Sequence, residues 1–331
     1  MRAVRVGRFG GPEVLEPVEL PDPVPGPGQV LVEVAHADVL FLDAQLRRGA
    51  GAGTFDVRPP YVPGGAVGGR VAEVGEGVGP AWRGRHVIGR TPGDTGGYAE
   101  RAVLDAATLM AVPPGLAPRD AAALPYDGPT ALRLFDLAVS AGSLRPGAWV
   151  LVLAAGGGLG TLLVRLAKVA GAHVVAAAGG ERKGALLRDG LGADIVVDPG
   201  ADPDWTDAVR KATGGKGADL VLDGAGGALG RAAFEVVARG GRFSAHGAPS
   251  GSFAAVDPLE AAERGVTLVG IEQVQLSPAE AEPLLERALL WAANGTVCPV
   301  IGQTFPLERA AEAHAAVEAR EVVGKTLLTV E

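Results

Sequence analysis

Trp149-Val-Leu-Val-Leu-Ala-Ala-Gly-Gly-Gly-Leu-Gly160 is the stretch on which the fold turns. Its first five residues form the short apolar run that a buried parallel strand needs. Glycines follow at once, and after them Leu162 to Ala170 carry an apolar pattern of helical period. The segment therefore reads as strand, turn, helix. Glycines at such a turn let the backbone bend sharply and let a pyrophosphate approach the N–H groups at the helix N-terminus, where the helix dipole favours negative charge. The spacing is Ala154-x-x-Gly157-x-x-Gly160 rather than Gly-x-Gly-x-x-Gly, so the motif alone also fits a tight turn with no ligand. A second apolar run, His173 to Ala177, follows at the distance of a βαβ unit of about 30 residues. That context favours a dinucleotide site, with Gly156, Gly157, Gly158, Leu159 and Gly160 as contacts.

Outward from this unit the alternation continues. Helical patterns at Arg182 to Leu191, Trp205 to Ala212 and Ala228 to Ala238 interleave with apolar runs at Ile195 to Val197, Asp219 to Leu222 and Arg242 to Ala245. Such a series implies a parallel sheet with helices on both faces. Before it, from Val4 to about Val112, short runs are cut by turn residues, as in Pro21 to Gly28 and Gly68 to Gly79, and predict a β-rich, barrel-like module. A helix is expected at Pro278 to Ala293, and the last apolar run, Leu327 to Val330, is expected to return to the β-rich module.

The end of the second strand bears on cofactor choice. Enzymes that use an unphosphorylated dinucleotide place an Asp or Glu there to bond the ribose 2′-OH. Here the strand ends in Ala176-Ala-Ala-Gly-Gly180, and Glu181, Arg182 and Lys183 follow. Two cations at that point suit a 2′-phosphate and favour NADPH; Glu181 offers the alternative contact to a free ribose, and solvation of a helix face is the alternative for Arg182 and Lys183.

Composition excludes several classes. Lys plus Arg number 30 against 38 Asp plus Glu, giving a net charge of −8, the wrong sign for general attraction to nucleic acid or anionic lipid. No apolar run reaches the roughly 18 residues of a membrane span, and Met1 to Gly10 lack a signal-peptide core. The single cysteine, Cys298, permits no intramolecular disulfide and no Cys-x-x-Cys zinc site, so a reducing cytoplasm is the expected setting.

Across essentially its whole length the chain resembles the medium-chain dehydrogenase/reductase superfamily, in its zinc-free quinone oxidoreductase branch. The resemblance rests on Gly10-Gly-Pro-Glu-Val-Leu15, Pro63-Gly-Gly-Ala-Val-Gly-Gly-Arg-Val71, Gly97-Tyr-Ala-Glu100, Ala154 to Gly160, Asp223-Gly-Ala-Gly-Gly227, Gly240-Gly-Arg-Phe243 with His246-Gly247, and His314 with Gly324-Lys-Thr-Leu-Leu328. It implies an α/β protein: a GroES-like β-barrel domain from residues 1–120 and 297–331, and a Rossmann-type doubly wound parallel sheet from 121–296. It further implies that Lys183 grips a 2′-phosphate, that Gly179, Arg182, Gly224, Ala225, His246, Gly247 and Lys325 line the dinucleotide, and that Thr130 borders the nicotinamide. Thr130 as a helix N-cap and His246 as a backbone-only loop residue are the plainer alternatives. A homodimer through the edge of the Rossmann sheet is also implied.

Departures from the family pattern concern the substrate end. Leu40 and Gln45 stand where relatives carry Asn and Tyr beside the nicotinamide, and Asp127 stands where Lys is common. No catalytic acid is identified; Leu40, Gln45, Tyr61 and Asp127 are the pocket candidates. Tyr61 follows the mobile-looking stretch 49–60 and could cap a pocket, or pack beneath a loop. Gly64-Gly-Ala66 replaces the Gly-His-Glu of zinc-dependent relatives, so no metal is expected; His36 and Asp38 read as strand residues and Asp43 as a structural acceptor. Without a Lewis acid, hydride delivery to a quinone or an α,β-unsaturated carbonyl is favoured over alcohol oxidation, because the charge spreads into a quinol or enolate. An enoyl-thioester or polyketide enoyl reductase, and an NADPH-binding protein of low turnover, are the alternatives.

Overall fold

The computed structural model describes residues 1–50 and 57–330. The chain divides into two compact units, Met1–Tyr126 with Leu285–Glu331, and Asp127–Leu284. The second division falls inside the helix Pro278–Ala293, whereas the sequence reading drew its divisions at 120/121 and 296/297.

The first unit is built on a seven-stranded sheet. Its path runs Ile301–Pro306, Lys325–Thr329, Gln29–Val39, Ala66–Val74, His86–Arg90 and Met110–Ala111, and Arg101–Asp105 pairs with Gln29–Val39. Only the pair Ile301–Pro306 and Lys325–Thr329 is parallel. The eleven-residue strand Gln29–Val39 organises the unit. Its first half pairs with Arg101–Asp105 and its last four residues with Thr326–Thr329, so the end of the chain does return to the β-rich module. A bulge between Val34 and His36 shifts the alternation. Before it Val30, Val32 and Val34 face the core; after it Ala37 and Val39 do. His36 and Asp38 are thereby turned to the opposite face.

The second unit holds six strands, all parallel, in the order Ile195–Val197, His173–Ala177, Trp149–Leu153, Ala218–Asp223, Val237–Ala245, Thr267–Val269. Counted along the chain this is 3-2-1-4-5-6, the Rossmann order. Leu151, Leu153, Val175, Ala177, Val197, Val221 and Phe243 build one core face, where Phe234 and Phe243 meet edge to face at 5.6 Å. Several expected elements differ in extent from those observed. The helix read at Arg182 to Leu191 is an α-helix at Glu181–Ala185 that relaxes into a π-turn at Leu186–Gly190. The helix read to Ala238 stops at Phe234, because Val237 already pairs with Ala218 and opens the strand Val237–Ala245. Among the described residues no helix is long and apolar enough to cross a membrane.

Candidate functional site

In the parallel sheet the chain order reverses between Trp149–Leu153 and Ala218–Asp223, and the crossovers that leave these strands go to opposite sides. A crevice opens at such a point outside the carboxyl ends of the strands. Register sets what stands there. Leu153 is level with Ala177, Val152 with Leu222, and Asp223 with Ala245, so Ala154, Ala178, Gly224 and His246 leave the sheet along one line. Gly156 to Gly160, Gly179, Arg182, Lys183, Gly224, Ala225, His246 and Gly247 all lie in the connections that follow these strand ends or in the first turns of the ensuing helices. Twelve scattered positions of the sequence are thus brought to one edge of one sheet.

The glycines of the first turn are not equivalent. A Cβ on Gly160 would stand 2.3 Å from the Ala154 carbonyl oxygen and 2.7 Å from Ala155 Cα, so this glycine serves the close packing of helix Gly158–Val169 against its strand. A Cβ on Gly156 would meet the Lys183 side chain, 2.8 Å from Cδ. The methylenes of Lys183 therefore lie across the turn. Gly157 differs: its φ is −88°, a Cβ would touch only the Ala154 carbonyl oxygen at an ordinary 3.5 Å, and nothing among the described residues requires it to be glycine.

Around the second half of the sheet, Asp223 holds the next turn. Its Oδ1 accepts from the N–H groups of Ala225 at 2.9 Å and Gly226 at 2.8 Å, while its carbonyl oxygen accepts from those of His246 and Gly247. The carboxyl is fully buried, Oδ2 has no hydrogen-bond partner among the described residues, and burial raises its pKa against the two backbone donors. Burial also lowers His246 to about 4, so its imidazole is neutral near pH 7; its Nε2 lies 3.3 Å from where a Cβ on Gly224 would stand. One residue escaped the sequence reading. Asp198, just after Ile195–Val197, accepts from Gly180 N–H at 2.7 Å and so places a carboxylate beside the second strand end. The signal was absent because that carboxylate comes from the neighbouring strand.

The substrate-end candidates are positioned as follows. Leu40 precedes the helix Phe41–Arg47, on which Gln45 sits, and both are half-buried. Leu40 N–H donates to Asp43 Oδ2 at 2.8 Å, which gives Asp43 the structural role expected of it. Tyr61 pairs its backbone with Val6 in both directions and packs against the core; its Oη is buried without a hydrogen-bond partner among the described residues, and burial pushes its pKa up to about 12. Residues 51–56 of the stretch before it lie outside the described residues. Asp127 opens the helix Asp127–Ser140, and Thr130 is its fourth residue, so the N-cap alternative for Thr130 does not hold. Lys325 belongs to the first unit, on the strand Lys325–Thr329. It is buried, with Nζ 2.9 Å from Asp38 Oδ1, on the strand beside Gln29–Val39.

Where zinc-dependent relatives would carry a histidine, the space is filled. A Cβ on Gly65 would stand 2.1 Å from Tyr126 Oη, which donates to Asp94 Oδ1 at 2.7 Å. Arg90 bonds both oxygens of Asp94 and lies over the Tyr126 ring at 4.5 Å, so the tyrosine is pinned in place. Sequence reading missed this cluster, whose members meet only through the sheet. Among the described residues, no group of three or more His, Cys, Asp or Glu side chains could hold a metal ion.

Residues 26–114 match the family described as the alcohol dehydrogenase GroES-like domain, and residues 191–328 that described as zinc-binding dehydrogenase. The donor set does not fit the zinc of the second description, because Tyr126 occupies the place of the ligand and the one cysteine lies at 298. Quinone oxidoreductase of Sus scrofa is 30% identical over 341 residues, covering 99% of this chain and 97% of the relative. A mycobacterial protein solved in complex with NADPH superposes with a TM-score of 0.87 at 29% identity, covering 99% of this chain and 100% of the other. A structure described as an NAD-dependent alcohol dehydrogenase gives 0.86 at 35% identity, with 100% of each chain covered. With the GroES-like barrel, the Rossmann strand order and full-length similarity together, the chain belongs to the medium-chain dehydrogenase/reductase superfamily, in its zinc-free quinone oxidoreductase branch.

Proposed function

We propose that this chain is an NADPH-dependent oxidoreductase that reduces a quinone or an α,β-unsaturated carbonyl. The observation that carries the reading is Gly157. Its missing side chain is required neither by backbone angle nor by packing, yet it opens the N-terminus of a twelve-residue helix at the point where the strand order reverses. A pyrophosphate needs that opening and those N–H groups. When bound, the dinucleotide supplies the hydride; the protein supplies the rest.

In this reading Gly156, Gly157, Gly158, Leu159 and Gly160 receive the pyrophosphate, and Gly179, Arg182 and Lys183 the adenosine end. Gly224, Ala225, His246 and Gly247, held by Asp223, line the crevice beside them, with Thr130 bordering the nicotinamide. Leu40, Gln45, Tyr61 and Asp127 face the substrate. Lys325 is left out, since its ammonium is committed to Asp38. The NADPH complex of the mycobacterial relative supports the cofactor, and the name of the porcine relative supports the quinone. No side chain need stabilise an alkoxide, because the negative charge left by hydride addition spreads over a conjugated system and solvent can protonate it. Catalysis then rests on positioning and exclusion of water. A homodimer joined at the sheet edge Thr267–Val269, beside the helix Pro258–Glu263 with its exposed Leu259, in a reducing cytoplasm, completes the proposal.

Steady oxidation of NADPH, followed by its absorbance as a panel of quinones and enones is added, tests it. Turnover well above the rate without acceptor supports the assignment. Tight NADPH binding with no turnover on any acceptor would leave a binding protein and overturn the enzyme.

A further inference from the structure

The end of the second strand carries no carboxylate of its own, but Asp198 supplies one. Ala178 N–H donates to Val197 carbonyl oxygen at 3.0 Å, so the second and third strands leave the sheet side by side. Beyond that point Asp198 Oδ2 accepts from Gly180 N–H at 2.7 Å, and Oδ1 accepts from Gly200 N–H at 2.9 Å and Ala201 N–H at 3.2 Å. Oδ1 also lies 3.6 Å from where a Cβ on Gly179 would stand. The carboxylate is fixed from both sides against the turn Gly179–Gly180. Three backbone donors, with the positive charge of Lys183 behind them, hold it below the usual carboxylate range.

Lys183 leaves the helix that begins just after this turn and crosses Gly156. Beside this turn the chain sets Arg182 and Lys183 against Glu181 and Asp198, two positive groups and two negative, and the formal charges cancel. A 2′-phosphate brings about −1.5 to −2 at pH 7 to such a set. A 2′-hydroxyl brings none, and can donate to a carboxylate. A set without net charge discriminates little between the two.

We propose that Asp198 sets the cofactor discrimination of this chain: held against Gly179 and Gly180, its carboxylate offsets Lys183 and keeps the preference for a 2′-phosphorylated dinucleotide small. This rests on the dinucleotide-binding reading given above. Asp198 is a positioning and charge-balancing residue; it takes no part in hydride transfer.

Titration calorimetry of the full chain with NADPH and with NADH tests the proposal without turnover. In Asp198→Asn the ratio of the NADH to the NADPH dissociation constant is expected to rise roughly five- to tenfold, the size of one nearby charge at the protein surface. In Lys183→Ala the ratio falls, and adding Asp198→Asn there restores less than it adds to the native chain. The gain shrinks at 1 M salt, where the Debye length is about 3 Å. Disturbance of the turn weakens both dinucleotides alike and leaves the ratio unmoved; Asp198→Ser repeats the measurement should the Asn variant not fold. An unchanged or lowered ratio in a variant that keeps its melting temperature overturns the role of Asp198. A native chain that binds neither NADPH nor NADH overturns the dinucleotide reading itself.

Discussion

Gly157 and Gly160 look alike in the sequence and answer to different demands. The close approach of Gly160 to the Ala154 carbonyl serves the fold; the open space at Gly157 serves whatever approaches from outside. Gly157→Val should therefore melt within a few degrees of the native chain yet lose NADPH affinity by about 100-fold or more, since a branched side chain blocks the pyrophosphate from the N–H groups. Gly160→Val should instead fail to fold stably. Calorimetry with NADPH alongside thermal melts separates the two, and a Gly157→Val variant that binds normally would reduce the turn to a mere bend. At this scale the sequence discloses what lies within one turn of chain. The glycines and Lys183 were legible because strand, turn and helix are contiguous. Asp198, Tyr126 and the burial of Lys325 were not, because each depends on a partner delivered by another strand.

The helix Phe41–Arg47 shows how one side chain can condition an element. Asp43, on its first turn, accepts from Leu40 N–H and from Tyr98 Oη, which lies 3.0 Å from His314 Nε2. Burial outweighs these donors and raises its pKa from 3.8 to about 7. The folded state thus holds this proton more tightly than the unfolded chain does. The stability it confers is complete below about pH 4 and is lost as pH rises through about 7, a decline on the order of 2 kcal/mol between pH 5 and 8. Asp43→Asn keeps an acceptor for Leu40 and cannot ionise, so urea melts at pH 5, 6, 7 and 8 should show a flatter profile for the variant; parallel profiles would remove Asp43 as the titrating group. Elements with a clean period, such as Trp149–Leu153, His173–Ala177 and Pro278–Ala293, were readable to the residue. The strand Val237–Ala245 was legible only from Arg242, because the helical pattern before it runs on to Ala238 in the sequence. The bulge that turns His36 and Asp38 from the core had no sequence signal at all, since it is a property of the pairing.

On the scale of the whole molecule, the fold was legible because two textures of sequence, turn-cut strands and strand–helix alternation, occupy separate stretches of chain. Substrate preference was not, because Leu40, Gln45 and Asp127 depart from the residues by which it would be read. Metal content is decided elsewhere, at Gly65. With Tyr126 packed against Gly65, the purified protein should contain well below one equivalent of zinc, and chelators should leave turnover intact. Stoichiometric zinc by elemental analysis, with chelator-sensitive activity, would overturn the argument that hydride goes to a conjugated acceptor.

The antiparallel pairing of Thr326–Thr329 with His36–Val39 also orders events in time. Strand Gln29–Val39 emerges from the ribosome well before its partner, with the whole parallel sheet between them in the chain. The six parallel strands, all contained in Asp127–Leu284, are complete before that partner exists. At about 5–20 residues per second, the early strand waits on the order of tens of seconds with part of one hydrogen-bonding edge open. Nascent chains stalled before residue 325 should therefore present a finished nucleotide-binding domain beside an unclosed barrel, and chaperone demand during synthesis should concentrate on the barrel.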